Sequence, residues 1–312
     1  MGTGATLDLE AQYGKRIRNY SLGFTEPYVF DWPLSAGFTI YNRYTYYPYL
    51  FTQKSRGINY SLGMRIKGFW RTSVAYGFEY LDVGPSSSET DEGSAIYNPY
   101  YYGGGYGYGH YFVGSLSTFL YRSTIDSPLT PSSGTLYSVG CKFEGGPLGG
   151  EIDLIKPQFE WAFYSHVIRR HVLGLHVDYE FLKPMGSSGV PFWERFYLGG
   201  ERSIRGYEIY SIGPLTSEGL NKGGEKSLVF NAEYIIPIGG PLYTIFFFDA
   251  GNAFARHDRV RLSDLYSSTG LEMRIFVPAL RVPFRLIFAY NNRKITATDS
   301  NFAFRFAVGT TF

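Results

Sequence analysis

Residues 302–312 read FAFRFAVGTTF, and their side chains alternate between two chemical types. Phe302, Phe304 and Phe306 fall on one face of an extended strand, whereas Ala303 and Arg305 fall on the other. The first face favours hydrocarbon and the second favours water. The segment therefore predicts a strand with lipid on one side and an aqueous space on the other.

The same two-residue period recurs along the chain, for example at 58–66 and 173–181. It predicts about fourteen strands, at residues 4–13, 16–26, 34–46, 55–67, 70–82, 110–125, 134–145, 151–166, 170–182, 225–237, 242–255, 266–278, 283–292 and 302–312. Short connections, most of them flanked by Pro, contrast with two long ones at 83–109 and 183–224. This pattern predicts an all-β fold, a transmembrane antiparallel β-barrel of about 14 strands, as a single domain over residues 1–312.

The composition narrows the possible classes of protein. The chain is 44% hydrophobic, 18% charged and 19% aromatic, which excludes a disordered segment. Its longest apolar runs, such as 245–248, are far shorter than the roughly 20 residues of a spanning helix. Cys141 is the only cysteine, so an internal disulfide and a four-thiolate metal site are excluded. A soluble β-sandwich or propeller is the alternative, but too many polar residues lie opposite the aromatic ones for one packed interior.

The long connection at 183–224 contains two distinctive runs, PFWERFYLGG at 191–200 and SIRGY at 203–207. They resemble the sixth extracellular loop of the BamA/TamA superfamily of outer-membrane assembly factors. The resemblance continues, in order, through nearly the whole chain, at TEPY 25–28, PSSG 131–134, NAEY 231–234 and FFDAG 247–251. It implies that the loop folds into the barrel lumen and that Arg205, Gly206 and Tyr207 form its tip, after Gly199 and Gly200.

The tip requires partners for its charge. A guanidinium drawn out of water needs carboxylates within reach, because an unpaired buried charge costs several kcal/mol. The resemblance places Glu233 and Asp249 on the two strands that follow the loop. We therefore predict that Arg205 lies within hydrogen-bond distance of Glu233 or Asp249. The alternative is an ordinary loop arginine in water, and a solvent-exposed Arg205 would support it.

The C-terminal strand carries a second resemblance. Phe304, Phe306, Gly309 and Phe312 resemble the β-signal that outer-membrane barrels display to the assembly machine. An extended strand with free edge groups can pair with another strand edge, and alternating aromatics then add selectivity. A compatible and simpler interpretation is that the last Phe anchors the strand at the membrane interface.

The superfamily implies a function for the chain. We expect it to insert and fold β-barrel proteins into the bacterial outer membrane by strand pairing at a lateral seam, with no catalytic residues, metal or cofactor. Expected partners are outer-membrane lipids and lipopolysaccharide, unfolded β-barrel substrates and assembly-machine lipoproteins, and nucleic acid is not expected. A TamA-like translocation factor and a two-partner secretion transporter are the closest alternatives. An outer-membrane lipid hydrolase would need a base such as His176, beside Asp178 and Glu180, but no nucleophile motif accompanies it.

The chain also departs from the superfamily pattern. It lacks the periplasmic POTRA repeats, and alignment by motif places residues 1–5 where members enter their third strand. These residues do not resemble a signal peptide. We therefore expect a fragment of a longer gene product, or a chain begun at an internal Met, with a natural fourteen-stranded variant as the alternative.

Overall fold

The computed structural model describes residues 4–48, 50–86, 105–217, 219–277, 282–296 and 299–309. Strands dominate it, and their bounds are β1 Thr6–Tyr13, β2 Ile17–Glu26, β3 Leu34–Tyr47, β4 Phe51–Lys67, β5 Trp70–Pro85, β6 Gly109–Ser123, β7 Gly134–Glu144, β8 Leu154–Ile168, β9 His171–Phe181, β10 Lys183–Pro184, β11 Lys226–Gly239, β12 Leu242–Phe254, β13 Tyr266–Val277, β14 Val282–Asn291 and β15 Phe302–Val308. Short 3₁₀ turns lie at Val29–Asp31, Gly146–Leu148, Phe192–Glu194 and Leu262–Asp264. Among these described residues, no helix is long and apolar enough to cross a membrane.

The strands hydrogen-bond in chain order from β1 to β9 and then from β11 to β15, while β10 pairs with β8. The described pairings are antiparallel, as between β14 and β15, where Phe288 lies opposite Phe304. The chain forms two compact units. Unit 1 comprises Met1–Tyr121, Val139–Pro157 and Leu182–Arg195, and unit 2 comprises Arg122–Ser138, Gln158–Phe181 and Phe196–Phe312.

Unit 1 shows the predicted division between the two faces of a strand. Along β4, Tyr60, Leu62 and Met64 are exposed, as the alternation predicts for a face that favours hydrocarbon. The buried side chains of the unit include Phe51 and Leu154, which belong to the ends of β4 and β8. The large apolar residues of β4 therefore do not collect in a dry centre.

Unit 2 shows the same division more sharply. Phe302, Phe304 and Phe306 on β15 are 76%, 59% and 60% exposed, whereas Ala307 on the opposite face is buried. The charged residues Glu233 and Glu272 are buried on the face opposite the exposed aromatics. Part of the face opposite the exposed aromatics is apolar instead of polar. Five buried side chains pack together there: Ala162, Tyr164, Val172, Ile235 and Ile245. The last group is a hydrophobic cluster that the alternation does not predict.

Each of the fourteen predicted strands has a counterpart, and the bounds differ locally. β4 begins at Phe51 and β5 ends at Pro85 because the two residues pair with each other. The sequence pattern missed β10, which has only two residues and pairs with Leu154 and Ile155. Within the predicted 83–109 connection, residues 87–104 lie outside the described part of the chain, as does Phe312. The single-domain organisation stays a prediction.

Candidate functional site

The part of the long connection between β10 and β11 that lies in unit 2, from Phe196 onward, forms backbone hydrogen bonds within itself. Phe196 and Gly224 exchange two backbone hydrogen bonds of 2.8 Å, and Leu198 and Ile212 exchange two of 3.0 and 2.9 Å. Ile204, Tyr207 and Ile212 then pack as a small buried cluster. The segment between these bridges is therefore folded by its own contacts, and it presents Arg205 to the polar face of the sheet.

Arg205 is completely buried and makes a saturated set of hydrogen bonds. Its Nε and Nη2 atoms each donate to the Asp249 carboxylate at 2.7 Å, and its backbone N–H donates to the same group at 3.0 Å. Its Nη1 atom donates to Glu233 at 2.6 Å and to Glu272 at 3.1 Å. The predicted contacts with both Glu233 and Asp249 are present, and the alternative of a solvent-exposed arginine is wrong.

The strand register explains why these carboxylates converge. Asn231 on β11 lies opposite Asp249 on β12, and Glu233 lies opposite Phe247. Residues two apart on a strand share a face, so both carboxylates project to the same side. The Phe247 ring lies 3.9 Å from the Arg205 guanidinium carbon, a cation–π contact. Burial alone would lower the pKa of Arg205, but Asp249 and Glu233 outweigh it and raise that pKa above its ordinary value.

Three further charged residues complete the network, and the sequence analysis missed all of them. Glu272 on β13 accepts two hydrogen bonds from Arg285 on β14, at 2.8 and 2.7 Å. Arg274 donates to Glu272 at 2.7 Å and to Glu233 at 3.3 Å. The network therefore holds three guanidinium groups and three carboxylates and is neutral. The signal in the sequence was Glu272 and Arg274 at alternate positions in β13, together with Arg285 in β14.

The residues beside Arg205 fit the sheet closely. Gly206 has a φ of +94°, and a Cβ at this position would lie 2.6 Å from the Ala289 Cβ atom. Its carbonyl accepts a hydrogen bond from Asn291 at 3.2 Å. The Tyr207 hydroxyl donates toward the carbonyls of Ser267 at 3.1 Å and Arg293 at 2.7 Å. The structure thus brings the three predicted tip residues together on one surface.

The two glycines before the tip serve the loop itself. Gly199 and Gly200 have φ values of +101° and +94°, a region that side chains other than glycine rarely adopt. A Cβ at Gly199 would lie 2.3 Å from the Glu208 carbonyl oxygen. These glycines therefore allow the chain to turn back on itself directly before Arg205.

The predicted C-terminal strand lies beside the loop. Arg305 on β15 forms an ion pair with Glu208 of the loop, and both side chains are partly exposed. On the other face Phe304 packs 5.1 Å from Phe288, and Phe306 packs 6.0 Å from Phe284. Gly309 donates its backbone N–H to Pro283 at 2.9 Å. The role of this strand as a recognition signal stays a prediction.

His176, the base that a hydrolase would need, is buried beside the network. Its Nδ1 atom lies 3.2 Å from the Asn231 side-chain oxygen, and its Nε2 atom lies 3.5 Å from Glu160. Asn231 in turn donates to Asp249 at 2.8 Å. His176 therefore supports the carboxylate that holds Arg205.

The sequence of this chain is similar to those of several known proteins. A sequence model described as the Omp85 superfamily domain matches residues 1–312. The chain is 37% identical over 157 residues to the outer membrane protein assembly factor BamA of Nitratidesulfovibrio vulgaris, a match that covers 49% of this chain and 20% of that protein. It is 26% identical over 267 residues to the sorting and assembly machinery component 50 homolog A of Xenopus laevis, covering 80% of this chain and 53% of that protein.

A solved structure resembles the fold over nearly the whole chain. The crystal structure of BamA from Haemophilus ducreyi lacking POTRA domains 1–3 superposes with a TM-score of 0.76 at 17% identity, over 98% of this chain and 64% of that one. This likeness confirms the predicted all-β antiparallel fold class. The chain thus spans between about a fifth and two thirds of the length of these relatives.

Proposed function

Because the chain belongs to the Omp85 superfamily, we propose that it is the membrane-embedded part of an outer-membrane protein assembly factor. In this role it inserts and folds β-barrel proteins in the bacterial outer membrane, without a catalytic residue or cofactor. A relative named as an outer membrane protein assembly factor supports this proposal, because this chain is 37% identical to it over 157 residues.

The exposed faces of the strands support the membrane location. Phe302, Phe304 and Phe306 are largely exposed on β15, the last strand in the pairing order. Exposed aromatic rings in this number are unfavourable in water and favourable in hydrocarbon. We place the sheet in the lipid as a closed barrel whose polar face lines the lumen, so that the loop lies inside.

Strand pairing at the end of the sheet supplies the driving force in this proposal. β1 and β15 are the two ends of the hydrogen-bonded order. When the seam between these two strands opens, an incoming unfolded strand that pairs there satisfies its backbone N–H and C=O groups and buries its apolar face in lipid. Hydrogen bonding and burial together then replace any need for a nucleotide or another source of chemical energy.

The remaining partners follow from surface chemistry and belong to the same proposal. Arg256, Arg259 and Arg261 are exposed in the connection after β12, where guanidinium groups suit lipid phosphate and lipopolysaccharide. Assembly-machine lipoproteins are further partners in this proposal.

The buried Arg205 network carries the functional proposal, because it fixes the loop tip to β11, β12 and β13. We expect Arg205→Ala to slow insertion of an unfolded β-barrel substrate into vesicles at least about tenfold, since a buried ion pair that loses one partner is strongly disfavoured. Gel mobility of unheated samples measures the folded substrate and also shows whether the variant itself is folded.

Arg202→Ala is the matched control for this test. Arg202 is exposed in the same loop, so its removal changes the net charge equally but leaves the network intact. We expect it to insert substrate at the rate of the unmodified chain. A folded Arg205→Ala variant that is equally fast would contradict the proposal.

A further inference from the structure

The first leg of the loop, residues 183–195, is held in unit 1 by an aromatic socket, formed by the rings of Phe51, Tyr106 and Tyr111. Phe192 is completely buried, and its ring packs edge-on against Phe51 at 5.0 Å. Trp193 is 5% exposed and packs against Tyr111 at 4.6 Å and Tyr106 at 5.8 Å. Aromatic pairs in these arrangements stabilise a contact beyond the area that they bury. The leg is therefore docked by side chains that take no part in the Arg205 network.

A charged cluster lies next to that socket. Glu194 accepts a hydrogen bond from the Lys156 ammonium on β8 at 2.6 Å, and the two side chains are 15% and 22% exposed. On β7, Lys142 and Glu144 form a second pair at 2.5 Å. Burial would raise the pKa of Glu194, but Lys156 and Lys142 outweigh it and hold that pKa below its ordinary value. Glu194 is therefore charged and paired with Lys156.

We propose that this first-leg anchor, formed by Phe192, Trp193 and the Lys156–Glu194 pair, is a second and independent attachment of the loop. It shares no residue with the Arg205 network. The eleven residue steps from Glu194 to Arg205 can span at most about 36 Å when extended. That length of chain allows one attachment to open while the other stays closed, so the loop has two separate holding points.

The two attachments differ in how far water reaches their charges. Every nitrogen of the Arg205 guanidinium donates to a carboxylate, and the Arg205, Glu233 and Asp249 side chains are at most 2% exposed. In the first-leg anchor, the Lys156 and Glu194 side chains are 22% and 15% exposed. An ion pair that water reaches is weaker than one shielded from water. We therefore expect the first-leg anchor to open first, while the tip remains in place.

The test measures the position of each part of the loop and does not depend on insertion activity. In a Cys141→Ser background, Val190→Cys reports on the buried first leg and Ser203→Cys reports on the half-buried tip. Lys156→Met and Glu194→Gln remove one charge each while keeping a similar shape. We expect either change to raise alkylation of the thiol at 190 at least about tenfold and that at 203 by less than about twofold. Arg205→Ala is expected to produce the reverse pattern.

A double variant separates the ion pair from other effects of the substitutions. When both charges are removed, neither is left buried and unpaired, so Lys156→Met with Glu194→Gln is expected to be milder than either single change. Lys183→Met is the matched control, because Lys183 is exposed in the same leg. Gel mobility restricts the comparison to folded molecules.

Three results would overturn the inference. The single variants could leave the thiol at 190 as protected as before. They could expose the thiol at 203 as strongly as that at 190, which would mean one attachment only. The double variant could equal the sum of the single effects, which would mean that Lys156 and Glu194 do not act as a pair. Failure of the insertion test with an intact alkylation pattern would instead contradict only the proposed function.

Discussion

Position 206 requires both a positive φ and a close approach to β14, and only glycine satisfies both conditions. Its Cβ-free backbone sits where an added carbon would be 2.4 Å from the Asn291 side-chain oxygen and 2.6 Å from Ala289. Gly219 has a similar φ of +82°, but an added carbon there would meet nothing within 4 Å. Comparing substitutions at the two glycines therefore distinguishes the effect of backbone strain from that of steric contact.

We expect Gly206→Ala to lower the free energy of unfolding by about 2–4 kcal/mol, because strain and overpacking both act. Gly219→Ala is expected to cost only about 1 kcal/mol, from strain alone. Urea unfolding of both variants in detergent measures the difference. Equal losses would show that contact with β14 does not matter.

The pKa of Glu194 leads to a prediction about acid. A carboxyl group whose pKa is lowered by folding contributes stability that is complete above its ordinary pKa, about 4.3, and is lost as the pH falls through the lowered value. Lys156, Lys142 and Glu144 are the charged groups around it. We expect the first leg to stay docked between pH 7 and about 4.5 and to loosen only below that.

Fluorescence of Trp193 reports this transition when Trp32, Trp70 and Trp161 are replaced by Phe. The Glu194→Gln variant carries no titrating group at this position, so its acid transition is expected to be absent or weaker. An acid transition in Glu194→Gln with the same midpoint and size as in the parent would contradict the assigned direction of the pKa shift.

At the scale of elements, alternation in the sequence was enough to locate the strands. Phe302, Phe304 and Phe306 were assigned to the outward face, and the structure exposes all three. The partners of Arg205 were also found, because a buried guanidinium requires carboxylates and the family resemblance indicated Glu233 and Asp249. The strand register was not accessible from the sequence. Arg274 and Arg285 lie directly opposite each other, a like-charge pairing that a sequence pattern disfavours, and Glu272 makes it acceptable by pairing with both.

A substitution on the outward face of β14 tests whether that face meets lipid. Phe288 is 47% exposed and packs against Phe304. In water, Arg at such a position would be nearly neutral, whereas at the middle of a bilayer it costs about 2–4 kcal/mol. We expect Phe288→Arg to reduce the free energy of unfolding in vesicles by that amount. Phe288→Leu is the control, and equal stability of the two variants would place the face outside the lipid.

At the scale of the whole chain, the loop between β10 and β11 contributes residues to both compact units. Its first leg belongs to unit 1 and the remainder, from Phe196, belongs to unit 2. The hydrogen bonds between Phe196 and Gly224 bring the two ends of the second part together. Residues 197–223 can therefore be removed and replaced by a short turn without stretching the strands.

We expect this deletion to raise ion conductance in planar bilayers, because the proposed barrel would lose the segment that fills it. Arg205→Ala should give a smaller or intermittent increase, since the loop is then released from the tip contacts alone. A deletion variant that is folded but conducts no more than the intact chain would argue against an enclosed lumen.

The charge balance around Arg205 has a consequence for the surroundings in which the chain works. Three positive and three negative groups that are almost completely buried present little net field to dissolved ions, so added salt has little effect on them. The Glu208–Arg305 pair is partly exposed and is screened readily. The Arg205 network would thus hold the loop equally well in seawater and in fresh water. The Glu208–Arg305 ion pair between the loop and the final strand would be weaker in the saltier medium.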